Sequence, residues 1–271
     1  MYSPGVAPTP RIVEGAAVHT AGAGPAIVLL HANGGDSRDF AAIHDRLTAH
    51  HTVHAIDWPG WGAAASVADP TALGYAALLP RVLDALGGDP FVLLGNSVGG
   101  FAAIRTAAAR PDLVRALVLV DPGGFTPRWP ATVAACRTIG SPRIAPVMMR
   151  LLPRLYLRRT TPAAAAIRTR AAEATRDAAR VAAFASIWRS FAERGHDARA
   201  AAASVPVPTL LVWGRRDPVL PWLIDGRRAR RTLATARVAT LPCGHQAFAE
   251  MPDEFTGLLD SFLHEIDRRS A

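Results

Sequence analysis

Short apolar segments alternate with longer helical patterns along most of this chain, and this alternation limits the folds that the chain can adopt. The predicted strands are residues 26–30, 53–57, 91–94, 116–120, 209–213 and 237–241, and the predicted helices are residues 37–49, 72–86, 98–110, 222–233 and 252–266. Strands that are apolar throughout and bounded by Gly, Pro or Asp are typical of a parallel sheet covered on both faces. The pattern predicts an α/β fold with a doubly wound, mostly parallel sheet. We expect one or two antiparallel strands earlier, within residues 11–19.

Residues 126–204 interrupt this alternation. They contain no convincing strand, are rich in Ala, Arg, Leu and Met, and are broken by prolines at positions 130, 142, 146, 153 and 162. A connection of this length is too long for a simple crossover between two strands. We therefore expect a core domain of residues 1–125 and 205–271, with residues 126–204 inserted as a helical cap, or lid. It should lie over the carboxyl ends of the strands, where open α/β sheets bind ligands.

The composition limits the kind of chemistry and the location. A chain of 271 residues fits one domain with an insertion. Its two cysteines, Cys136 and Cys243, make no disulfide framework, and no Cys/His cluster has zinc-ligand spacing, so we expect neither a metal nor a cofactor. Residues 1–10 show no signal peptide, and no apolar run is long enough to span a bilayer, so the expected location is cytoplasmic. The sequence leaves the oligomeric state open.

The positive charge is concentrated in the predicted cap. The net charge is +8, and all 30 basic residues are arginine, a bias typical of a GC-rich genome. Residues 126–200 hold 14 arginines against four acids. Two explanations stay open: a solvated surface, or attraction of an anionic partner such as a charged substrate, an acyl carrier or an acidic membrane face. Nucleic-acid binding is disfavoured, because no stacking motif or recognition helix is present.

A serine lies at a turn between a predicted strand and a predicted helix. The segment Gly95-Asn96-Ser97-Val98-Gly99-Gly100 follows the apolar run 91–94 and precedes the helix 98–110. Glycines two residues before and two after the serine allow a strained turn that lifts the hydroxyl above the sheet, at the positive end of the next helix. Taken alone, the motif also fits a glycine-rich turn without chemistry, so the remaining residues must decide.

A nucleophilic serine needs a base, and the base needs a carboxylate that orients it. His245 lies in a polar loop directly after the last predicted strand, which makes it the candidate base. Asp217 follows the strand 209–213 and is the favoured acid; Asp121, which follows the strand 116–120, is the alternative. Since both aspartates precede proline, each could instead form a turn or cap a helix.

These motifs together resemble the α/β-hydrolase superfamily over residues 11–266. The matching segments are Leu30-His31-Ala32-Asn33-Gly34-Gly35, Asp57-Trp58-Pro59-Gly60-Trp61-Gly62, the turn at Ser97, Trp213-Gly214-Arg215-Arg216-Asp217, and Gly244-His245. The resemblance implies that Asp217 is the acid and that the backbone N–H groups of Asn33 and Val98 form an oxyanion hole. The family usually has His-Gly where this chain has His31-Ala32, so we expect a slightly displaced loop. Family members that dehalogenate or open epoxides use an aspartate nucleophile, and Ser97 argues against both activities.

The sequence therefore predicts a serine hydrolase that cleaves an ester, thioester or related acyl bond through an acyl-enzyme. Its expected partner is a small to medium, largely apolar substrate, and an anionic or carrier-linked substrate is also open. The alternatives are a C–C bond hydrolase, lyase or cyclase of the same fold and, less favoured, a non-catalytic ligand-binding member. Of the apolar residues in the predicted cap, we expect two or three to line the pocket; these residues are Met148, Met149, Leu151, Leu152, Tyr156, Phe184, Trp188 and Phe191.

Overall fold

An eight-stranded sheet forms the centre of the protein, and the computed structural model describes residues 9–270. The strands are β1 (Arg11–Val13), β2 (Ala16–Ala21), β3 (Ala26–Leu30), β4 (Thr52–Asp57), β5 (Phe91–Asn96), β6 (Val114–Val120), β7 (Thr209–Gly214) and β8 (Arg237–Leu241). Their order in the sheet is β1-β2-β4-β3-β5-β6-β7-β8. β1 and β2 pair antiparallel with each other, as does β2 with β4, and all other pairs are parallel. The predicted doubly wound, mostly parallel sheet is confirmed.

The central strands are apolar because helices cover both of their faces. Every residue of β5 and of β7 is buried, as the unbroken apolar runs predict. β5 extends two residues beyond its predicted end, to Asn96. The Asn96 side chain donates a hydrogen bond of 2.9 Å to the Val120 carbonyl oxygen, so this polar residue can end a buried strand.

Eleven α-helices surround the sheet in the described part of the chain. They are α1 (Ala41–Thr48), α2 (Ala72–Leu86), α3 (Val98–Ala109), α4 (Pro130–Ile139), α5 (Ala145–Tyr156), α6 (Pro162–Ala174), α7 (Ala178–Ser190), α8 (Arg199–Ala203), α9 (Arg227–Thr232), α10 (Ala247–Glu250) and α11 (Pro252–Ser270). The predicted helical segment 222–233 is helical over residues 222–232, but it begins with a π-helical turn, Trp222–Gly226, that leads into α9. The Trp222 ring lies directly against Gly226, a position where a side chain would not fit.

The segment between β6 and β7 contains the five helices α4 to α8. Side-chain caps begin two of them: Thr161 accepts a hydrogen bond from the backbone N–H of Ala164, and Asp177 accepts from Ala179 and Arg180. α5 packs against α6 and α7, and α4 packs against α7. The short α8 packs instead on α3 and α9 of the sheet layers.

The loops that follow the parallel strands meet at one edge of the sheet. β3 leads to Asn33, β5 to Ser97, β6 to Asp121, β7 to Asp217 and β8 to His245. All residues singled out by their place after a strand therefore lie at the carboxyl edge.

No helix among residues 9–270 is long and apolar enough to cross a membrane. Residues 1–8 and 271 belong to the predicted core domain but lie outside the described residues. Most of residues 1–10, the segment in which the sequence shows no signal peptide, is therefore also outside them.

Candidate active site

Ser97 occupies a strained turn between β5 and α3. Its backbone has φ 54° and ψ −114°, a conformation that few residues other than glycine adopt. A Cβ atom on Gly95 would lie 2.6 Å from the backbone nitrogen of Gly100, and one on Gly99 would collide with the Leu30 carbonyl oxygen. The two glycines are therefore needed for close packing of the turn against its neighbours. The half-buried Ser97 lines a cavity.

His245 and Asp217 form a buried pair at the same edge. Nδ1 of His245 lies 2.6 Å from Oδ2 of Asp217, and the residues are 3% and 4% exposed. The other carboxyl oxygen, Oδ1, accepts a hydrogen bond of 2.8 Å from the Val219 backbone N–H. With both oxygens engaged, the Asp217 carboxyl group can hold the His245 ring in one orientation.

The backbone of His245 is held from two directions. Its N–H donates to the Tyr156 carbonyl oxygen at 3.0 Å, and its carbonyl oxygen accepts from Nδ2 of Asn96, also at 3.0 Å. Tyr156 ends α5, and Asn96 precedes Ser97. The loop that carries His245 is thus tied both to the serine turn and to the segment between β6 and β7.

Asp121 lies near this pair but makes different contacts. Its carboxyl oxygens accept from the Gly214 backbone N–H at 3.0 and 3.2 Å, and it makes no hydrogen bond to His245. Burial and the nearby Asp217 raise the pKa of Asp121 well above its usual range, which favours the protonated form. Of the two candidate acids, only Asp217 contacts His245.

One cluster in the described part of the chain has side chains of the metal-ligating type. Ligand atoms of Asp121, Asp217 and His245 lie within 4.8 Å of one another. The hydrogen bonds from Gly214 to Asp121 and between His245 and Asp217 already engage these atoms. This network accounts for the cluster without an ion.

Asn33 lines the same cavity as Ser97, and Val98 is the next residue after Ser97 in the chain. Asn33 lies in a tight turn closed by a hydrogen bond of 3.1 Å from the Gly35 N–H to the Ala32 carbonyl oxygen. Val98 is the first residue of α3, so its N–H has no acceptor within the helix. Neither N–H donates to another described residue.

His31 supports this loop, a role that its position alone did not reveal. Its Nδ1 donates to the Ala32 carbonyl oxygen at 2.7 Å, and its Nε2 accepts from the Trp58 backbone N–H at 3.1 Å. These partners fix one neutral tautomer of the fully buried ring. Ala32, which replaces the usual glycine, does not have a positive φ, so its side chain brings no backbone strain to the loop.

Glu250 is a further residue of the site that sequence reasoning missed. This residue, 2% exposed, accepts from the Gly244 N–H at 3.0 and 3.1 Å and from the Arg158 and Arg159 N–H groups at 2.6 and 2.9 Å. It joins the His245 loop to the chain that follows α5. The available signal was an acidic residue within the apolar run after His245, from Ala247 to Met251.

A cavity of about 360 Å³ lies over Ser97, His245 and Asn33, within the usual range for small-molecule sites. Its wall is mostly apolar. Of the eight apolar residues named from the sequence, two or three were expected to line it, but six do: Met149, Leu152, Tyr156, Phe184, Trp188 and Phe191. α5 and α7 therefore contribute apolar residues to the cavity as well as packing against each other and against neighbouring helices.

The chain matches the family described as Alpha/beta hydrolase family over residues 27–258. It is 33% identical over 282 residues to polyketide synthase ThaQ of Burkholderia thailandensis, a match that covers 99% of this chain and 13% of that protein. It is 35% identical over 120 residues to a pimeloyl-[acyl-carrier protein] methyl ester esterase of Xylella fastidiosa, covering 43% of this chain and 45% of that one. The chain thus spans less than half the length of these curated relatives.

A solved structure of a hydrolase from Pseudomonas aeruginosa PA01 superimposes with a TM-score of 0.74 at 26% identity. The match covers 92% of this chain and 94% of that one, so the likeness extends over nearly the whole molecule.

Proposed function

Because the chain belongs to the alpha/beta hydrolase family, we propose that it hydrolyses an ester, thioester or related acyl bond of a small to medium, largely apolar substrate. Ser97 is the nucleophile, His245 the base, and Asp217 the acid that orients His245. The observation that carries the proposal is the 2.6 Å contact between Asp217 and His245, which lines the same cavity as Ser97.

The reaction has two steps. In the first, the Ser97 oxygen attacks the carbonyl carbon while Nε2 of His245 takes the serine proton and passes it to the departing alcohol or thiol. The N–H groups of Asn33 and Val98 bind the negative oxygen of the tetrahedral intermediate. In the second step, water gives a proton to His245 and attacks the acyl carbon; the bond from that carbon to the Ser97 oxygen then breaks, His245 returns the proton to this oxygen, and the acid is released.

Residues 126–204 form the cap over this site in our proposal. The support is that α5, α7 and Phe191, which directly follows α7, supply these six apolar residues of the cavity wall, while Asn33 donates from Nδ2 to the Phe184 carbonyl oxygen of α7 at 3.2 Å. α4 to α7 make up the covering part, since α8 packs on α3 and α9.

A carrier-linked acyl group is one form that the substrate takes in this proposal. Two observations support this: the partial match to the pimeloyl-[acyl-carrier protein] methyl ester esterase, and the apolar wall of the cavity. The thioester bond of an acyl chain on a carrier protein should then be hydrolysed faster than that of the same acyl chain on a short thiol.

Fluorophosphonate labelling tests the central claim. The reagent should attach to Ser97, as located by mass spectrometry of the labelled peptides, and Ser97→Ala should lower ester turnover by about a millionfold, the loss known for serine hydrolases. Ser37→Ala, at the start of a turn away from the cavity, is the control and should leave labelling intact. Labelling at another residue, or none, would contradict the assignment.

A further inference from the structure

Arg170 of α6 forms ion pairs with two buried aspartates of the turn that follows Asn33. Its Nη2 donates to Oδ1 of Asp39 at 2.6 Å, and its Nε lies 3.7 Å from Oδ1 of Asp36. The Asp39 and Asp36 side chains are 1% and 7% exposed, and that of Arg170 is 19% exposed. Buried ion pairs are screened much less than those at a protein surface. Arg170 thus connects segment 126–204 directly to the turn after β3.

The Asp39 carboxyl group depends on Arg170 for its partner. Burial raises the pKa of Asp39 to about 6, Asp36 adds to the rise, and Arg170 opposes it, so the group is mostly ionised at pH 8. The Arg170 guanidinium supplies the one hydrogen bond that this carboxyl group receives among the described residues, since Oδ2 has no partner. Removing one partner of a buried ion pair is costly, because the other charge is left without compensation.

The same carboxyl group lies against the backbone of the turn that carries Asn33. A Cβ atom on Gly35 would collide with Oδ2 of Asp39, so only glycine allows this close approach. The N–H of Gly35 closes the turn through its hydrogen bond of 3.1 Å to the Ala32 carbonyl oxygen. Because the carboxyl group packs on Gly35, a displacement of Asp39 displaces the turn as well.

α7 contacts this turn at a second point. Nδ2 of Asn33 donates to the Phe184 carbonyl oxygen at 3.2 Å, and a Cβ atom on Gly34 would lie 3.4 Å from the Phe184 ring. The Asn33 N–H therefore belongs to a turn that two helices of segment 126–204 hold, α6 through Arg170 and α7 through Phe184. An oxyanion donor acts only within roughly 2.7–3.1 Å of the negative oxygen, so a small displacement of this turn would weaken it.

We propose that Arg170 is a positioning residue for the oxyanion site, and that its ion pairs with Asp36 and Asp39 hold the Asn33 N–H where the oxyanion forms. This inference rests on the proposed function and deepens it, because the segment that covers the cavity then also completes the geometry of the reaction. Arg170 is not among the residues that line the main cavity in the described part of the chain. It therefore acts through the turn and not on the substrate.

The test measures kcat and KM separately with a p-nitrophenyl ester at pH 8. In Arg170→Met, kcat should fall by about tenfold or more while KM changes by less than about twofold, because the oxyanion hydrogen bond is made only in the transition state. The inhibition constant of a trifluoromethyl ketone, which forms an oxyanion when Ser97 adds to it, should rise by about the factor by which kcat/KM falls. Arg170→Lys keeps the positive charge, so its kcat should lie between those of the wild type and Arg170→Met.

Arg180→Met is the matched control. Arg180 of α7 also connects segment 126–204 to the core, since it donates to the Gly62 carbonyl oxygen at 3.1 Å. Among the described residues, its ion pair is with Asp177 and not with the turn after β3. Its kcat should stay within about twofold of the wild type. A fall as large as that in Arg170→Met would assign the effect to a general loosening of the segment and overturn the inference.

A second variant covers the case in which Arg170→Met does not fold. Combining Arg170→Met with Asp39→Asn leaves no buried charge at residue 39, and the same fall in kcat is expected, again with KM little changed. An unchanged kcat in the folded variants, or a loss of activity that lies in KM, would overturn the inference; with Ser97 labelled normally, the proposed function would still stand. Failure of Ser97 to label in the wild type would overturn the proposed function itself, and the inference with it.

Discussion

Asp217 and Asp121 are both buried near His245, but only Asp217 is hydrogen-bonded to it. In Asp217→Asn, an amide of the wrong donor pattern would face Nδ1 of His245, which now lies 2.6 Å from a carboxyl oxygen. The ring would turn or change its tautomer and could no longer accept the serine proton through Nε2. We expect kcat to fall by about 10⁴-fold with the fold retained, measured by ester hydrolysis and circular dichroism.

Asp121→Asn is the matched comparison. The raised pKa of Asp121 favours its protonated form, and an amide has the same shape with a donor and an acceptor. The amide oxygen can still accept from the Gly214 N–H, so kcat should fall by less than about tenfold. If kcat falls further in Asp121→Asn than in Asp217→Asn, the acid that orients His245 is Asp121, which follows β6, and not Asp217.

Asp225 should make stability depend on pH. Burial raises the pKa of this residue to about 6 from an ordinary value of 3.8; the hydrogen bond from the Thr126 hydroxyl opposes the shift, and Asp217 adds to it. The folded state therefore binds the proton more tightly than the unfolded state does. This stabilising contribution is fully present below about pH 4 and is lost as the pH rises to about 6.

The side chain in Asp225→Asn cannot ionise, so this variant should not lose stability at this position as the pH rises. Relative to the wild type, its free energy of unfolding in urea should rise between about pH 4 and about pH 7 by about 1 to 3 kcal/mol. Asp89→Asn, at an exposed position, is the control and should show no such trend. Parallel pH curves for Asp225→Asn and the wild type would refute the prediction.

Glu250 connects the loop after β8 to the chain after α5. Glu250→Gln would turn an amide NH₂ group toward N–H donors of Gly244 or of Arg158 and Arg159. Because buried donors would lose their acceptor, we expect a loss of about 2 kcal/mol or more in unfolding free energy. The loop would also hold His245 less firmly, so the rate of fluorophosphonate labelling per folded molecule should fall.

The labelling rate separates the two effects of this change. Glu254→Gln alters an exposed glutamate on the neighbouring helix α11 and should change neither stability nor labelling. If Glu250→Gln loses stability but labels at the wild-type rate, Glu250 stabilises the fold without positioning His245.

The sequence was sufficient to predict the strands of the sheet, but it did not predict the contacts between the loops that follow them. Apolar runs such as residues 91–94 predicted buried strands because burial on both faces demands such residues. His245 and Asp217 were found because each directly follows a strand. Glu250 was not, since its contacts depend on segments far apart in the chain meeting in space, here Glu250 with Arg158.

At the scale of the whole molecule, many of the arginines of residues 126–200 donate hydrogen bonds within the protein. Five arginines of residues 126–200 donate to backbone carbonyl oxygens, and three more to side-chain oxygens: Arg128, Arg158, Arg168, Arg180 and Arg189, then Arg150, Arg170 and Arg199. Only Arg128 of the eight lines the main cavity. These arginines hold the loops and helix ends of the segment, which favours a structural explanation over attraction of an anionic partner.

Salt should therefore affect charged and neutral substrates alike. Between 0.1 M and 1 M salt the Debye length falls from ~10 Å to ~3 Å, which would weaken any long-range attraction. For an anionic and a neutral ester of matched size, we expect the ratio of their kcat/KM values to change by less than about twofold. A ratio that falls steeply with salt would show that the positive segment attracts the substrate.

The ties between the His245 loop and the segment after α5 bear on how such enzymes can be recombined. Tyr156 accepts from the His245 N–H, and Glu250 accepts from Arg158 and Arg159. Anyone who grafts residues 126–204 from a relative to change substrate range also replaces three of the groups that hold the His245 loop in place. A working chimera must therefore import a compatible partner for Glu250 together with the new pocket, and the junction at residues 156–159 sets the limit on exchange.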